Sequence, residues 1–184
     1  RSMKKLREYI EKNIIVIPPP PDLETKIEEL NYIKKRRDDP VTADKYSKIL
    51  DLNGAEIFNQ ILINAGFRDH KQAILDLQKE IIPEIYFHKK YFNQMRPNEF
   101  AKYIGDNLNY DYLESAQTPS YPSGHTAQAF YIAYCLSNKF PSLKKPLYKA
   151  ADMIAESRID RGVHFPSDNE AGKILARRLF IEKV

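Results

Sequence analysis

Apolar residues recur along this chain at intervals of three and four rather than two, the period of a buried helix face. Leu23, Ile27, Leu30 and Ile33 set that spacing between Asp22 and Arg37, with polar residues filling most other positions. The same rhythm predicts helices over 6–17, 42–65, 71–92, 123–140, 143–159 and 166–182. A further short helix is expected from Pro97, because proline suits a first turn. Pro83 lies inside one of these stretches and predicts a kink or a split there. Four prolines at 18–21 stop the first helix and force an extended segment. Residues 105–122 are rich in Asn, Asp and Tyr and read as a polar loop. No stretch alternates as a strand would, so the expected fold class is all-α. The length of 184 residues suits a single-domain helical bundle over 1–184, with 1–21 as an N-terminal helix and Pro-rich segment.

Composition narrows the classes without choosing one. Apolar residues make up 42% and charged residues 29%, with a net charge of +4, as in an ordinary globular chain with a mild preference for anions. The basic run Lys34–Arg37 is followed by Asp38 and Asp39 and reads as a solvated helix end, so no nucleic-acid partner is expected. The most apolar stretch, 127–136, falls short of the roughly 20 residues of a membrane span and carries Gln128 and two tyrosines. No membrane span is therefore expected. Cys135 has no partner for an internal disulfide and reads as a small core residue. No leader is visible, and Arg1-Ser2 ahead of Met3 reads as a remnant before a start methionine.

The candidate chemistry starts at "PSYPSGHTAQAF", residues 119–130, where Pro-Ser-Gly-His opens a helix. Ser123 there is either an N-cap and nothing more or part of an anion site, since a helix N-terminus offers unpaired N–H groups and a positive dipole end. The rest of the chain favours the anion site. Lys89 is followed after six residues by Arg96-Pro97, and Ser157-Arg158 after five by His164 and after three more by Asp168. Three cations, a helix mouth and two histidines suit phosphoryl transfer, which spreads charge over three equatorial oxygens. Lys89 is a point charge, Arg96 and Arg158 are planar forks, and Ser123 and Gly124 add neutral donors. His164 is the candidate nucleophile, because Asp168 at i+4 can fix its tautomer. His125 is the candidate general acid, switching to base when water attacks the phosphohistidine. No metal or other cofactor is expected, since no cluster has metal-ligand spacing and the three cations supply the charge.

These segments resemble the signature of the type 2 phosphatidic acid phosphatase (PAP2) superfamily: Lys-six-Arg-Pro, Pro-Ser-Gly-His and Ser-Arg-five-His-three-Asp, separated by 24 and 31 residues. "SYPSGHTA", "GVHFPSDNEAG" and the proline run after "IIVI" are similar to the bacterial class A non-specific acid phosphatases. The resemblance implies an all-helical fold with the motif core at 89–168 and a metal-independent phosphatase of soluble phosphomonoesters. It gives His164, His125 and Asp168 the roles already stated, and phosphate binding to Lys89, Arg96, Ser123, Gly124 and Arg158. It also implies vanadate inhibition, a soluble periplasmic or secreted protein, and relatives that often form homo-oligomers. A vanadium-dependent haloperoxidase and a lipid phosphate phosphatase are the alternative activities. The loop 98–120 departs from the subgroup, which leaves the leaving-group preference open.

His70 and His88 read as surface residues, and Asp160-Arg161 as a helix-surface pair. Tyr121 either lines the pocket or packs against the turn. Tyr103, Tyr110 and Tyr112 read as loop packing.

Overall fold

The computed structural model describes residues 3–5, 15–45 and 54–184, and among them regular structure is helical throughout. The helices are α1 (Leu23–Arg37), α2 (Pro40–Lys45), α3 (Gly54–Asn64), α4 (Lys71–Glu80), α5 (Ile82–Phe92), α6 (Pro97–Tyr103), α7 (Gly124–Lys139), α8 (Lys144–Asp160) and α9 (Pro166–Lys183). The all-α expectation holds. Residues 6–14 of the expected first helix lie outside the described residues, and 15–17 are not helical. There Val16 donates its N–H to the ring of His88, ahead of the prolines. The expected helix over 42–65 begins at Pro40, and 46–53 lie outside the described residues. The stretch 71–92 splits at Ile81, which puts Pro83 in the first turn of α5, where its missing N–H costs nothing.

α7 is the axis of the molecule. Nine of its 16 residues are buried on all sides, including Ala127, Ala129 and Ala133. A helix apolar all round must be covered all round, and α8 and α9 form its two largest contacts, with α3, α4 and α5 adding to the cover. Small residues let these helices approach: Ala150, Ala151 and Ala155 on α8, and Ala171, Gly172 and Ala176 on α9, are buried. Gly172 sits so close to the start of α7 that a Cβ there would stand 2.7 Å from the Ser123 carbonyl oxygen.

α1 lies behind the loop segments. Asp22 caps it, accepting from the Thr25 N–H at 2.9 Å, and its buried Leu30 and Ile33 join Phe100, Ala101 and Phe165 in a second, smaller core. The basic end of α1 is not simply solvated, as its sequence suggests. Arg36 forms a two-pronged ion pair with Asp160 (2.7 and 3.0 Å), Arg37 reaches Asp111 and the carbonyls of Asn109 and Asp160, and Lys34 reaches Asp106 at 2.9 Å. Asp160 is correspondingly buried rather than on a helix surface, and Arg161 pairs with Asp111 at 2.8 Å. These pairs fasten the loop 105–113 to the end of α8. Gly162 ends that helix with a positive φ of 74°, a conformation glycine adopts without cost.

Candidate active site

Three loop-to-helix junctions meet at one cavity of about 160 Å³, lined by Lys89, Arg96, Gly124, His125 and His164 together with Thr118, Ser115, Gln128 and the α5 residues Ile82, Ile85 and Tyr86. Lys89 comes from the last turn of α5, Arg96 from the residue before α6, and Gly124 and His125 open α7. His164 lies two residues before α9.

His164 is buried, and its two ring nitrogens have different partners. Nε2 lies 2.8 Å from Arg96 Nη1. A guanidinium only donates, so Nε2 is the acceptor and carries the lone pair. Nδ1 is therefore the protonated nitrogen, and it donates to Asp168 Oδ2 at 2.9 Å. Burial, then the charges of Arg96, Lys89 and Arg158, push the imidazole well below its ordinary pKa. It is neutral in this tautomer.

Asp168 occupies the third position of α9 and holds more than the histidine. Its Oδ2 also accepts from the Phe165 N–H at 2.9 Å and from the Ser120 hydroxyl. Burial raises its carboxyl from the ordinary carboxylate range, and the donors from Ser120 and Phe165 with the charges of Lys89 and Arg96 pull against that. The cations are held by loop carbonyls. Lys89 Nζ donates to Pro119 O at 2.6 Å, and Arg96 donates to Thr118 O (2.7 Å), Thr118 Oγ1 (3.1 Å) and Val163 O (3.0 Å). Burial lowers the Lys89 ammonium, with Arg96 adding to the effect and Asp168 opposing it. Arg158, lowered by burial to about 10, stays charged at neutral pH.

His125 is half-buried, and among the described residues none bonds its ring. Burial, then the nearby charges of Arg158, Lys89 and Arg96, lower it to about 4. Not all candidate residues face the cavity. Ser123 is fully buried, and its hydroxyl caps α7, accepting from the Thr126 N–H at 3.3 Å and donating to Thr126 Oγ1 at 3.0 Å. Asp168 stands behind His164. Arg158 is buried behind the wall, donating to Ser157 Oγ at 3.3 Å.

Residues 74–181 match the PAP2 superfamily. The chain belongs to that superfamily. A non-specific acid phosphatase from Providencia stuartii is 32% identical over 88 residues, which are 48% of this chain and 35% of that protein. The match thus spans about a third of that relative's length. A transmembrane PAP2-type phosphatidylglycerolphosphate phosphatase from Bacillus subtilis shares the fold, with a TM-score of 0.58 at 21% identity over 88% of this PAP2 chain and 85% of that one. Among the described residues of the PAP2 chain, no helix is long and apolar enough to cross a membrane. Nor is any group of three or more His, Cys, Asp or Glu side chains among them placed to hold a metal ion.

Several residues that build the site escape sequence reasoning. Ser120 and Thr118 sit in a polar loop, where nothing separates them from other hydroxyls. Asn169 joins three helices, accepting from Thr126 Oγ1 on α7 at 2.8 Å and donating to Ala155 O on α8 at 2.8 Å. Glu29 of α1 receives the Ser167 N–H and hydroxyl at the start of α9.

His88 and Cys135 differ from their sequence reading, and Tyr121 takes one of its two alternatives. His88 is buried rather than exposed, with Nδ1 donating to Glu84 O at 2.6 Å and Nε2 accepting from Val16. Tyr121 packs edge-on against Phe92 and donates to the Pro18 carbonyl, and it does not line the cavity. Cys135 is half-buried at the margin of the core.

Proposed function

We propose that this chain hydrolyses soluble phosphomonoesters through a phosphohistidine on His164. The observation that carries the reading is the His164 ring itself: neutral, its proton on Nδ1 toward Asp168, its Nε2 lone pair at a cavity shared with His125 and cations. Superfamily membership and the acid phosphatase relative support the same reaction class.

In this reading an arriving phosphoryl oxygen takes the Arg96 N–H that now bonds Nε2, which frees the lone pair to attack phosphorus. The P–O ester bond breaks as the P–N bond forms. His125 delivers a proton to the departing alkoxide, then takes one from the water that attacks phosphorus and releases phosphate. Lys89 and Arg96, with the N–H groups opening α7, hold the equatorial oxygens, and Arg158 adds positive charge from behind the wall. Ser123 serves the site by fixing that helix mouth. A soluble, exported protein fits this chemistry.

The test is a phosphomonoester panel with and without a chelator, followed by quenching in alkaline denaturant during turnover of an ester labelled on its phosphoryl group. Turnover should survive the chelator, and the quenched protein should carry an acid-labile, base-stable label. His164→Ala should lose both the label and at least about a thousandfold in kcat. A variant that keeps more than about a hundredth of the rate would remove His164 from the nucleophile's role.

A further inference from the structure

The cavity is chemically two-sided. Cations and imidazoles form one part of its wall, and the other is apolar: Ile82, Ile85 and Tyr86. These lie seven, four and three residues before Lys89 on α5, so they share a helix face with it and continue outward from the phosphate end. Ile85 is buried, while Tyr86 is 53% exposed and stands at the mouth. The apolar wall adjoins His125, because Ile85 Cγ2 is only 3.4 Å from where a Cβ on Gly124 would stand, and Gly124 precedes His125. In-line displacement sends the leaving group away from His164 Nε2 and toward the residue that protonates it. A second cavity of about 120 Å³ is lined by Arg96, Tyr110, Tyr112 and Val163 among others, and neither His125 nor His164 reaches it. It therefore does not serve the leaving group.

We propose that Ile82, Ile85 and Tyr86 form a leaving-group subsite selecting phosphomonoesters whose alcohol carries an apolar group two or three bonds beyond the ester oxygen. The inference rests on the phosphomonoesterase reading. A polyol such as glycerol would leave the wall wet, whereas an aromatic or branched apolar group would cover Ile82 and stack on the Tyr86 ring.

The experiment compares 2-phenylethyl phosphate with ethyl phosphate, whose alcohols have similar acidity, so the ratio of kcat/KM values reads contact and not leaving-group chemistry. The expected preference for the phenylethyl ester is about tenfold, falling to about twofold in Tyr86→Ala and kept in Tyr86→Phe. A ratio near one in the unsubstituted protein, or an unchanged ratio in Tyr86→Ala, overturns the subsite. Both esters are measured on one preparation, so partial misfolding of a variant cancels. If neither ester turns over, the phosphomonoesterase reading fails and the subsite is judged by binding alone. In that case 2-phenylethylphosphonate must raise the Tm more than ethylphosphonate does, and equal shifts overturn it. An apolar alcohol can also be a diacylglycerol, so phosphatidate in phosphatidylcholine vesicles forms a third arm. Vesicle turnover that falls relative to ethyl phosphate in Tyr86→Ala assigns the wall to a lipid. A phenylethyl preference without vesicle turnover assigns it to a water-soluble alcohol. Vesicle turnover indifferent to Tyr86→Ala counts against the subsite.

Discussion

Arg96 sits between a loop carbonyl and a histidine lone pair, and this one side chain fixes the tautomer of His164. Its partner Asp168 accepts from three donors on a single oxygen. Ser120 supplies one of them from a fully buried position, so its loss leaves the carboxylate less firmly oriented. Ser120→Ala is expected to lower kcat by about tenfold, the effect of one hydrogen bond to a charged group, while Ser120→Thr retains most of the rate. Steady-state kinetics on both variants checks this. His125 gives the pH dependence. Its pKa near 4 makes it neutral in the free protein over most of the acidic range, so the proton for the leaving group arrives with the substrate monoanion. Phosphomonoesters lose that proton at about pH 6. kcat/KM is therefore expected to hold between about pH 4 and 6 and to fall about tenfold per unit above that. A plateau extending to pH 8 would contradict the assignment of His125.

At the scale of elements, the site depends on how closely α9 approaches α7. The backbone of Gly172 lies where any side chain would strike the Ser123 carbonyl, the Ala127 nitrogen and the Thr126 Cβ. Two of these three atoms are backbone and cannot turn aside. Gly172→Ala is expected to destabilise the fold by roughly 1–3 kcal/mol and to shift the α7 mouth that carries Gly124 and His125. The check is a denaturant titration with kcat measured on the folded fraction, and kcat should fall by more than the loss of folded protein. The glycine was visible in the sequence, but its partner was not, because 45 or more residues separate it from the atoms it touches. The basic end of α1 makes the same point. Four consecutive cations read as a solvated terminus, since the pattern of one helix does not reveal which carboxylates other segments bring to it. Asp106, Asp111 and Asp160 supply that partnership.

At the scale of the whole molecule, a chain of net charge +4 gathers three of its cations in buried positions around one cavity. Like charges brought together out of water repel, and an anion that binds only the folded state relieves this. Inorganic phosphate at about a hundred times its Kd should stabilise the protein by about 2.7 kcal/mol. Sodium chloride at the same ionic strength should not, and thermal denaturation in the two salts decides it. Much of this architecture is local in origin and so was legible in the sequence. The helical period over 23–37 (although Leu23 and Ile27 of its apolar set stay exposed while Leu30 and Ile33 are buried), the prolines at helix starts and the spacing from His164 to Asp168 each depend on residues within a turn or two, as do helix propensity and i, i+4 geometry. They determined the all-α class, most helix bounds and the candidate pair. Only the tertiary structure decided that Ser123 turns inward as a cap, that Ser120 and Arg96 complete the His164–Asp168 pair, that His88 is buried, and that one cavity wall is apolar. Those outcomes depend on which distant segments share a volume, and close packing of α7 against α8 and α9 settles that for the whole chain at once.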